Sequence, residues 1–519
     1  MTDTVERHSP EYYARVKPDE IVLFDGEHRI SWKQLSDASD RLANALGSKG
    51  LGSEDRIAVR MRTRYEWFIV NQAIGKIGAA QVAVNWKLTP VESRYIVVDS
   101  DTTAVIYDDD APEILYDAWQ DLDLKLMVSV ESPENQDIPW LTTLIEQADS
   151  IHIEAGQPAR LILYTSGTTG KPKGAVPNPE KLAGKMQQVM EYMASVGGVA
   201  PAVPDARGLL ALPMHHGAGP AAAAQALSVG GQLHLMRKYD PVEALKIITQ
   251  RQITNWIAVP TMLNRIAALP DQVLKQFDVS SMQVLNLGAA AVPFALKQWV
   301  VGYFGDHCLY EGYGSTETGM ITSMTPEDQL RKPGSSGKPY RHVDIRILDD
   351  DGNQLPIGAT GEIWVNTPVA IDRYLNRDAL DTETLSPDGY FRVGDVGHLD
   401  EEGYLFITDR KKDMIVAGGV NIYPAEIEAV LIKHPQIVEA AVIGIPHDDF
   451  GEQVMAVCEI NPDVVPGQDE LLDFCKAELA GYKLPRQMTF VEALPRNPMG
   501  KVLKNELRMP YWEGRERKI

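Results

Sequence analysis

A run of small, hydroxylic and basic residues, YTSGTTGKPKG, occupies Tyr164–Gly174 and directly follows an apolar stretch that predicts a β-strand. Glycine takes positive φ at little cost, so Gly167 and Gly170 can expose consecutive N–H groups as an anion-binding nest. The Ser and Thr hydroxyls and the lysines add donors and positive charge, which suits a polyphosphate. A Walker A loop needs Ser or Thr after its lysine, whereas Pro172 follows Lys171 here. The sequence therefore predicts a polyphosphate-binding loop that is not a P-loop.

Other residue types that could do chemistry are ambiguous by themselves. His215 and His216 form a pair, but no third metal ligand of suitable spacing accompanies them. The three cysteines have neither paired nor metal-ligand spacing, and we interpret them as reduced and mostly structural. A lysine such as Lys501 is solvated in most proteins. The role of these residues depends on the motifs around them.

The composition limits the classes of function. A chain of 519 residues with 44% apolar and 24% charged residues is typical of a globular protein with several domains. Its net charge of −22 disfavours DNA, RNA and anionic lipid headgroups as partners. The N-terminus lacks a signal-peptide pattern, no apolar run reaches the roughly 18 residues of a membrane span, and the C-terminus RERKI carries no peroxisomal or prenylation signal. We therefore expect a cytoplasmic protein without a transmembrane segment.

Helices and strands alternate through the first part of the chain. The segment SWKQLSDASDRLANALGSKGL predicts a helix with Leu35, Leu42 and Leu46 near one face. Short apolar strands follow, separated by helices such as one near Glu66 to Ile77, and this alternation indicates parallel sheets covered by helices. From about Gly334 the pattern changes to hairpin-like strands with Asp-Gly turns, which predicts a small β region appended to the α/β body.

A separate unit begins beyond Asp409, after the charged run DRKKD. The segment NIYPAEIEAVLIKHP predicts a helix with Pro424 in its first turn and Ile427, Val430 and Leu431 facing inward. Two strands and a second helix follow, which makes the unit large enough to form its own core.

A series of stretches in a fixed order resembles the signature motifs of the adenylate-forming superfamily, which includes acyl-CoA synthetases, aryl-CoA ligases, luciferases and peptide-synthetase adenylation domains. They are YTSGTTGKPKG, PMHHGAG, NLGAAAVP, YEGYGSTETG, YFRVGDVG, ITDRKKDMI, GGVNIYPAEIE, YKLPRQ and PRNPMGKVLK. The resemblance spans nearly the whole chain and is greatest to bacterial medium- and long-chain fatty-acyl-CoA synthetases. It implies an α/β fold with a large N-terminal domain (residues 1–411) of two α/β subdomains plus a small β region. A small, mobile α+β C-terminal domain (residues 412–519) follows.

The resemblance implies a reaction in two halves. A carboxylate attacks the α-phosphorus of ATP to give an acyl-adenylate and pyrophosphate, and the thiol of CoA then displaces AMP. ATP, Mg²⁺ and CoA are thus the implied cofactor set. A carboxylate is a poor electrophile, so its leaving group must first become a phosphate. The protein's task in this reaction is largely positioning and charge neutralisation.

The same resemblance implies four catalytic residues. Lys501 bridges the carboxylate and the phosphate, Thr316 donates to the α-phosphate, and Glu317 is the Mg²⁺ ligand. His216 lies near the incoming carboxylate in an orienting or gating role, with a purely structural role as the alternative. The implied nucleotide and CoA contacts are Thr165, Ser166, Gly167, Thr168, Thr169, Gly170, Lys171, Gly288, Ala289, Ala290, Tyr313, Gly314, Thr316, Asp395, Arg410, Gly418, Gly419 and Lys501 itself.

Some of these contacts have specific implied roles. Tyr313 stacks on the adenine, Asp395 accepts both ribose hydroxyls, and Arg410 adds a second ribose contact. Lys412 lies at the hinge about which the C-terminal domain rotates between the two half-reactions. After rotation, the glycine pair that follows the hinge packs close to the pantetheine arm of CoA, where a side chain would obstruct it.

The nature of the acid follows only in part. Gly314 stands where acetate-activating relatives have tryptophan, which disfavours acetate, and no aspartate between Pro213 and Ala224 is present to hold an amino group. The small residues at 217–219 and 289–291 are expected to leave room for an apolar tail, although they could equally permit close packing. We expect a medium- or long-chain fatty acid, and aryl or steroid-side-chain acids stay open.

Other functions also stay open. They are a luciferase-like oxygenase, a ligase that loads a carrier protein, and a non-catalytic acyl-nucleotide-binding protein, although the joint presence of Thr316, Glu317, Asp395, Arg410 and Lys501 argues against the last. The expected partners are a small-molecule carboxylic acid, ATP and CoA, with no nucleic acid and with a homodimer left open. The stretch AIDRYLN at 370–376 departs from the pattern of many relatives, and no role follows for it from the sequence.

Overall fold

The structure is a computed structural model that describes residues 9–153, 159–165, 171–290, 292–417, 420–447, 450–460, 467–497 and 500–513. The helices are α1 (Pro10–Val16), α2 (Trp32–Ser48), α3 (Tyr65–Lys76), α4 (Pro90–Asp99), α5 (Pro112–Trp119), α6 (Leu141–Gln147), α7 (Pro179–Gly184), α8 (Met186–Gly197), α9 (Ala218–Ser228), α10 (Pro241–Arg251), α11 (Pro260–Ala267), α12 (Asp271–Leu274), α13 (Phe294–Phe304), α14 (Pro424–Leu431), α15 (Gln468–Glu478) and α16 (Lys504–Trp512). None of these described helices is both long and apolar enough to cross a membrane.

The strands form three sheets. They are β1 (Ile21–Asp25), β2 (His28–Ser31), β3 (Arg56–Arg60), β4 (Ala80–Val84), β5 (Ala104–Tyr107), β6 (Leu126–Ser129), β7 (Arg160–Thr165), β8 (Lys173–Ala175), β9 (Arg207–Leu210), β10 (Gln232–Leu235), β11 (Asn255–Ala258), β12 (Val284–Gly288), β13 (Leu309–Ser315), β14 (Gly319–Met324), β15 (Ser335–Pro339), β16 (Asp344–Leu348), β17 (Gly361–Asn366), β18 (Phe391–Leu399), β19 (Leu405–Arg410), β20 (Ile415–Ala417), β21 (Val420–Ile422), β22 (Ile437–His447), β23 (Gly451–Ile460) and β24 (Gln487–Val491).

A six-stranded sheet has the order β6-β5-β3-β4-β7-β8 and is parallel except for β8. Successive side chains of a strand point to opposite faces, and both faces of this sheet are buried. Ile57 and Val59 join the apolar cluster that contains α2 and α3, whereas Ala58 joins the cluster that contains α4 and α5. The continuous apolar runs of these strands are explained by this double burial.

Helix α2 confirms the helical face expected from the sequence. Its Leu35, Leu42 and Leu46 are fully buried. The helix begins with a capping box, in which Ser31 and Gln34 each satisfy an N–H group of the other.

A thirteen-stranded sheet has the order β16-β17-β18-β19-β15-β14-β13-β12-β11-β9-β10-β1-β2. The strands β9 to β13 are parallel where they pair with one another, and β13 turns back on β14 as an antiparallel hairpin. The hairpin-like strands expected after Gly334 are present, but they are not a separate appendage: β15 pairs with both β14 and β19, so they extend this sheet. A local pattern identifies strands but does not determine which neighbour each one takes.

The hairpin β1–β2 lies at the other edge of the large sheet and was not predicted from the sequence. Strand β1 pairs in parallel with β10, about two hundred residues further along the chain. An Asp-Gly pair, Asp25-Gly26, lies at its turn and is a typical hairpin signal that could have identified it.

The C-terminal domain has its own five-stranded sheet, in which β22 and β23 form a long antiparallel pair and β24 joins β23 in parallel. Its helix α14 buries Ile427, Val430 and Leu431, as expected. Alternate residues of β22 enter two different apolar clusters, because Ala440 faces α14 and α15 while Ala441 faces the other side. This domain therefore has its own core, which lies on both faces of its sheet.

A buried charged cluster joins the two domains around the expected hinge. Asp409, at the end of β19, accepts the Ala425 N–H at 2.8 Å. Asp413, just past the hinge, pairs with Arg508 of α16 at 2.7 Å. Burial opposes the charge of Lys504, but Glu428 at 2.7 Å and the nearby Asp409 outweigh it and raise the pKa of Lys504. Charges from both domains thus hold α16 against the hinge.

Candidate active site

Three of the expected nucleotide contacts meet at one corner of the large sheet. Asp395 and Arg410 are direct neighbours on β18 and β19, and the Arg410 Nε lies 2.8 Å from Asp395 Oδ1. The Tyr313 hydroxyl, from β13, donates to Asp395 Oδ2 at 2.5 Å. Asp395 is only 5% exposed, so its carboxylate is held in a fixed orientation by two donors. A carboxylate in this state can accept further hydroxyl donors from a ligand.

Lys501 reaches the same corner from the C-terminal domain. The backbone N–H of Lys501 donates to Asn497 Oδ1 at 2.9 Å, and the backbone N–H of Asn497 donates to the Lys501 carbonyl. These two bonds close a tight turn. Burial, together with the nearby Arg410, lowers the pKa of Lys501 to about 8, whereas the Asp395 carboxylate opposes this shift. The ammonium group therefore lies within electrostatic range of Asp395 and Arg410, and an incoming anion would stabilise its charge.

The turn that carries Lys501 packs against the N-terminal domain at Gly500. This glycine has φ +77°, and a Cβ there would lie 2.3 Å from Thr261 Oγ1 on α11. The close approach fixes the distance between Lys501 and the large sheet.

We expect Gly500→Ala to slow the first half-reaction roughly 10-fold, because a left-handed conformation costs an L-residue about 1–2 kcal/mol and the methyl group pushes the turn away from α11. The measurement is pyrophosphate release in the absence of CoA. Gly352→Ala is the matched control, since Gly352 has φ +83° but open space around its Cβ position. An equal rate for Gly500→Ala and the wild type would contradict the docking role. Combining it with Thr261→Ala should restore part of the rate.

The described parts of the phosphate loop lie at the end of β7 and the start of β8. The Thr165 Oγ1 is buried and has no hydrogen-bond partner in the described part of the chain, which leaves a donor available to a ligand. The Lys171 and Lys173 ammonium groups lie over the rings of Tyr95 and Tyr374, at 5.2 and 5.3 Å from their centroids. The expected contacts Ser166, Gly167, Thr168, Thr169 and Gly170 lie outside the described residues, as do Gly418 and Gly419.

Glu317 and Thr316 occupy the turn of the β13–β14 hairpin. The Tyr374 hydroxyl donates to Glu317 Oε1 at 3.3 Å, and Thr316 is exposed beside it. Within the described ranges, no group of three or more Asp, Glu, His or Cys residues is arranged to hold a metal. Proteins bind Mg²⁺ through one or two carboxylates, and phosphate oxygens of the substrate complete the ligand set of the ion. A single carboxylate such as Glu317 fits this pattern.

The glycines and alanines expected around the adenine and the acid are explained in part by backbone packing. A Cβ at Gly314 would lie 2.3 Å from the Gly319 carbonyl oxygen, so the bulged hairpin itself excludes a side chain there. The presence of glycine at position 314 therefore does not by itself indicate how large an acid the acyl pocket accepts. A Cβ at Gly219 would likewise lie 2.4 Å from the Pro213 carbonyl oxygen, which supports the close-packing alternative for this residue.

The turn after β12 brings the next expected contacts beside β13. A Cβ at Gly288 would lie 2.8 Å from the Gly312 carbonyl oxygen. Ala289 adopts φ +64°, and Ala290 follows it, partly buried. A non-glycine residue with positive φ is uncommon and marks a constrained turn. Ala291 lies outside the described residues.

The histidine pair is buried and chemically unsatisfied. The rings of His215 and His216 lie 4.6 Å apart. Both ring nitrogens of His215 and the Nε2 of His216 have no partner among the described residues. Burial lowers the pKa of His216 to about 4 and holds that of His215 well below its ordinary value, so both imidazoles are neutral at pH 7 and each has one donor and one acceptor nitrogen.

Two residues of this region were not expected from the sequence. Tyr374 contacts both Lys173 and Glu317, and Thr261 receives the Lys501 turn. Thr261 lies in a helix with no distinctive motif, so no sequence signal could have identified it. Tyr374 belongs to the stretch AIDRYLN, whose unusual sequence was the only signal.

Comparison with known families covers both domains. Residues 11–375 match the family model described as AMP-binding enzyme, and residues 426–501 match the one described as AMP-binding enzyme C-terminal domain.

Individual relatives match over nearly their whole length. An indoleacetate–CoA ligase of Aromatoleum aromaticum is 34% identical, with 98% of this chain and 97% of that protein covered. A long-chain-fatty-acid–CoA ligase of Mycobacterium tuberculosis is 33% identical, with 97% and 96% covered. The solved structure of o-succinylbenzoate CoA synthetase from Bacillus subtilis, in complex with the acyl-adenylate intermediate OSB-AMP, superposes with a TM-score of 0.79 at 29% identity and covers 96% of this chain and 97% of that one.

Proposed function

The chain belongs to the family of AMP-binding enzymes, and we propose that it joins a carboxylic acid to coenzyme A through an acyl-adenylate formed from ATP. The observation that carries this proposal is the meeting of Lys501 with Asp395, Arg410 and Tyr313 at one corner. A mobile cation, a fixed acceptor pair and an aromatic ring are the groups that a nucleotide undergoing attack at its α-phosphorus requires.

In the first half-reaction the ribose hydroxyls donate to Asp395, and the adenine lies against the Tyr313 ring. Lys501 lies between the acid carboxylate and the α-phosphate, where its charge offsets the negative charge that builds up during the attack. Thr165 and the lysines of the phosphate loop hold the β- and γ-phosphates, which leave as pyrophosphate. Thr316 donates to the α-phosphate.

Glu317 would hold Mg²⁺ together with the phosphate oxygens, and the ion would neutralise the charge of the leaving pyrophosphate. Glu317 is well suited to this task because the Tyr374 hydroxyl restrains one of its oxygens, Oε1.

In the second half-reaction the C-terminal domain rotates about Lys412. The charged cluster of Asp409, Asp413 and α16, which flanks the proposed domain boundary at residues 411/412, supports this role. Gly418 and Gly419 then line the path of the CoA thiol to the acyl carbon, and AMP leaves.

The acid is proposed to be a medium- or long-chain fatty acid, supported by the long-chain-fatty-acid–CoA ligase among the relatives. An aryl acid is the second candidate. The unsatisfied nitrogens of His215 and His216 favour an aryl acid that carries a second polar group, such as an indole N–H, because a buried polar group without a partner is costly unless a substrate supplies one. The indoleacetate–CoA ligase among the relatives points in the same direction.

The test is to supply ATP, Mg²⁺ and single acids (octanoate, palmitate, indole-3-acetate, 2-succinylbenzoate, acetate) with and without CoA, and to measure pyrophosphate and acyl products by mass spectrometry. Acyl-CoA as the product when CoA is supplied, with kcat/KM highest for octanoate or palmitate, supports the fatty-acid ligase. Preference for indole-3-acetate supports the aryl candidate. Pyrophosphate without any thioester would overturn CoA as acceptor in favour of a carrier protein.

A further inference from the structure

The segment Ala370–Arg377, called the brace below, contacts the C-terminal arm of the phosphate loop. The Leu375 N–H donates to the Gly174 carbonyl at 2.7 Å, and Tyr374 forms a β-bridge with Ala175. The Leu375 side chain is buried in the apolar cluster of the six-stranded sheet. The brace, which belongs in sequence to the large sheet, is thus anchored in the smaller one.

The brace also contacts the N-terminal arm of the loop, through Asp99 at the end of α4. Arg377 pairs with the Asp99 carboxylate, and the Asn376 side chain donates to the Asp99 carbonyl at 2.8 Å. The Tyr164 hydroxyl, at the start of the loop, donates to Asp99 Oδ2 at 2.9 Å. Both arms of the loop are therefore connected to the same eight residues.

The third contact of the brace is Glu317. The Ile371 N–H donates to the Glu317 carbonyl at 2.9 Å, and the Tyr374 hydroxyl donates to its carboxylate at 3.3 Å. The ring of Tyr374 also contacts the C-terminal arm of the phosphate loop, because the Lys173 ammonium lies 5.3 Å from its ring centroid. One aromatic side chain therefore touches both the loop and the acidic residue.

We propose that the brace sets the separation between the phosphate loop and Glu317, and that Tyr374 is the positioning residue of the Glu317 carboxylate. The loop is held by β7 and β8 of the six-stranded sheet, whereas Glu317 belongs to the thirteen-stranded sheet, so neither sheet alone fixes their distance. The inference rests on the proposed function, in which these two elements hold magnesium–ATP between them. Hydrogen-bond donors to a ligating carboxylate orient it, and their removal typically lowers metal affinity about 10–100-fold.

The experiment uses the full-length protein and Tyr374→Phe, which keeps the ring and removes only the hydroxyl. ATP binding is measured by isothermal titration calorimetry with Mg²⁺ and with EDTA, and Mn²⁺ binding in the presence of ATP is measured by electron paramagnetic resonance. We expect Tyr374→Phe to weaken Mn²⁺ binding and the Mg²⁺-dependent gain in ATP affinity by about 10–100-fold, with little change in ATP affinity in EDTA. Tyr303→Phe is the matched control, because Tyr303 loses one bond to the Leu274 carbonyl far from this region.

The outcomes separate the inference from the proposed function. Wild-type metal affinity in Tyr374→Phe would overturn the positioning role, and so would an equal loss with Mg²⁺ and with EDTA, which would indicate a general disturbance of the ATP site. Failure of the proposed function has a different signature: the wild type itself would bind no ATP and release no pyrophosphate with any acid.

Discussion

Lys501→Ala should slow acyl-adenylate formation by on the order of 10²–10³, the loss that follows removal of one preorganised donor from developing charge. The reason is positional: Lys501 is the group that the C-terminal domain brings to the corner formed by Asp395 and Arg410. Single-turnover release of pyrophosphate without CoA measures this step. Thioester formation from supplied acyl-adenylate should remain within a few-fold of the wild type, because the proposed mechanism places that step after rotation of the C-terminal domain.

Lys476→Ala is the control, since Lys476 is an exposed lysine of the same domain that pairs with Asp473 at 2.7 Å. Loss of both half-reactions together in Lys501→Ala would contradict its assignment to the first one.

The pH profile gives an independent check of Lys501. Because burial lowers its pKa to about 8, the free enzyme loses the ammonium charge as the pH rises through that value. The kcat/KM of adenylation should therefore fall above about pH 8, whereas kcat should fall only at higher pH, since bound carboxylate and phosphate favour the charged form. Lys501→Arg keeps its charge, so its residual activity should lack this decline.

Asp395→Ala should lower kcat/KM for ATP by on the order of 10², because hydrogen bonds to a charged group contribute about 1.5–3 kcal/mol each. The buried carboxylate would offer the ribose an acceptor that Tyr313 and Arg410 already orient. The sharper measurement compares ATP with 2′,3′-dideoxy-ATP. The wild type should discriminate strongly between the two nucleotides. Asp395→Ala should discriminate hardly at all, since the interaction between the ribose hydroxyls and residue 395 is lost with the carboxylate.

Asp388→Ala is the control for Asp395, because Asp388 is an exposed carboxylate of the same β region that pairs with Arg346 at 2.6 Å. If Asp395→Ala kept the wild-type preference for ATP over the dideoxy nucleotide, Asp395 would not be the ribose contact. A thermal unfolding measurement distinguishes a loss of stability from a loss of ATP recognition. This control is needed because the substitution also removes the carboxylate that pairs with Arg410.

Local elements were predictable because their signals are local. The helix with Leu35, Leu42 and Leu46 on one face follows from spacing alone, and so do the helix and strands of the C-terminal domain. Which strands become neighbours was less predictable. The pairing of β15 with β19 and of β1 with β10 depends on packing between distant segments, and no periodicity encodes it.

The candidate site shows the same division. Asp395, Arg410 and Lys501 could be identified from motifs, and the structure brings them together, but their catalytic roles stay predictions. The hydrogen bond from Tyr313 to Asp395 and the contact of Gly500 with Thr261 join residues from different motifs or domains. A motif gives the identity of a residue, whereas such contacts depend on how the sheets and domains pack.

The brace also has a consequence for how the protein folds. Arg377 and Asp99 are separated by 278 residues, and Asn178 and Asp372, which join the brace to the start of α7, by 194. Contacts of such high sequence separation form slowly, because a long loop must close before they contribute. The helices and parallel strands of the first 150 residues can therefore assemble well before the phosphate loop acquires its second support. During refolding, recovery of ATP binding should lag behind recovery of helical structure.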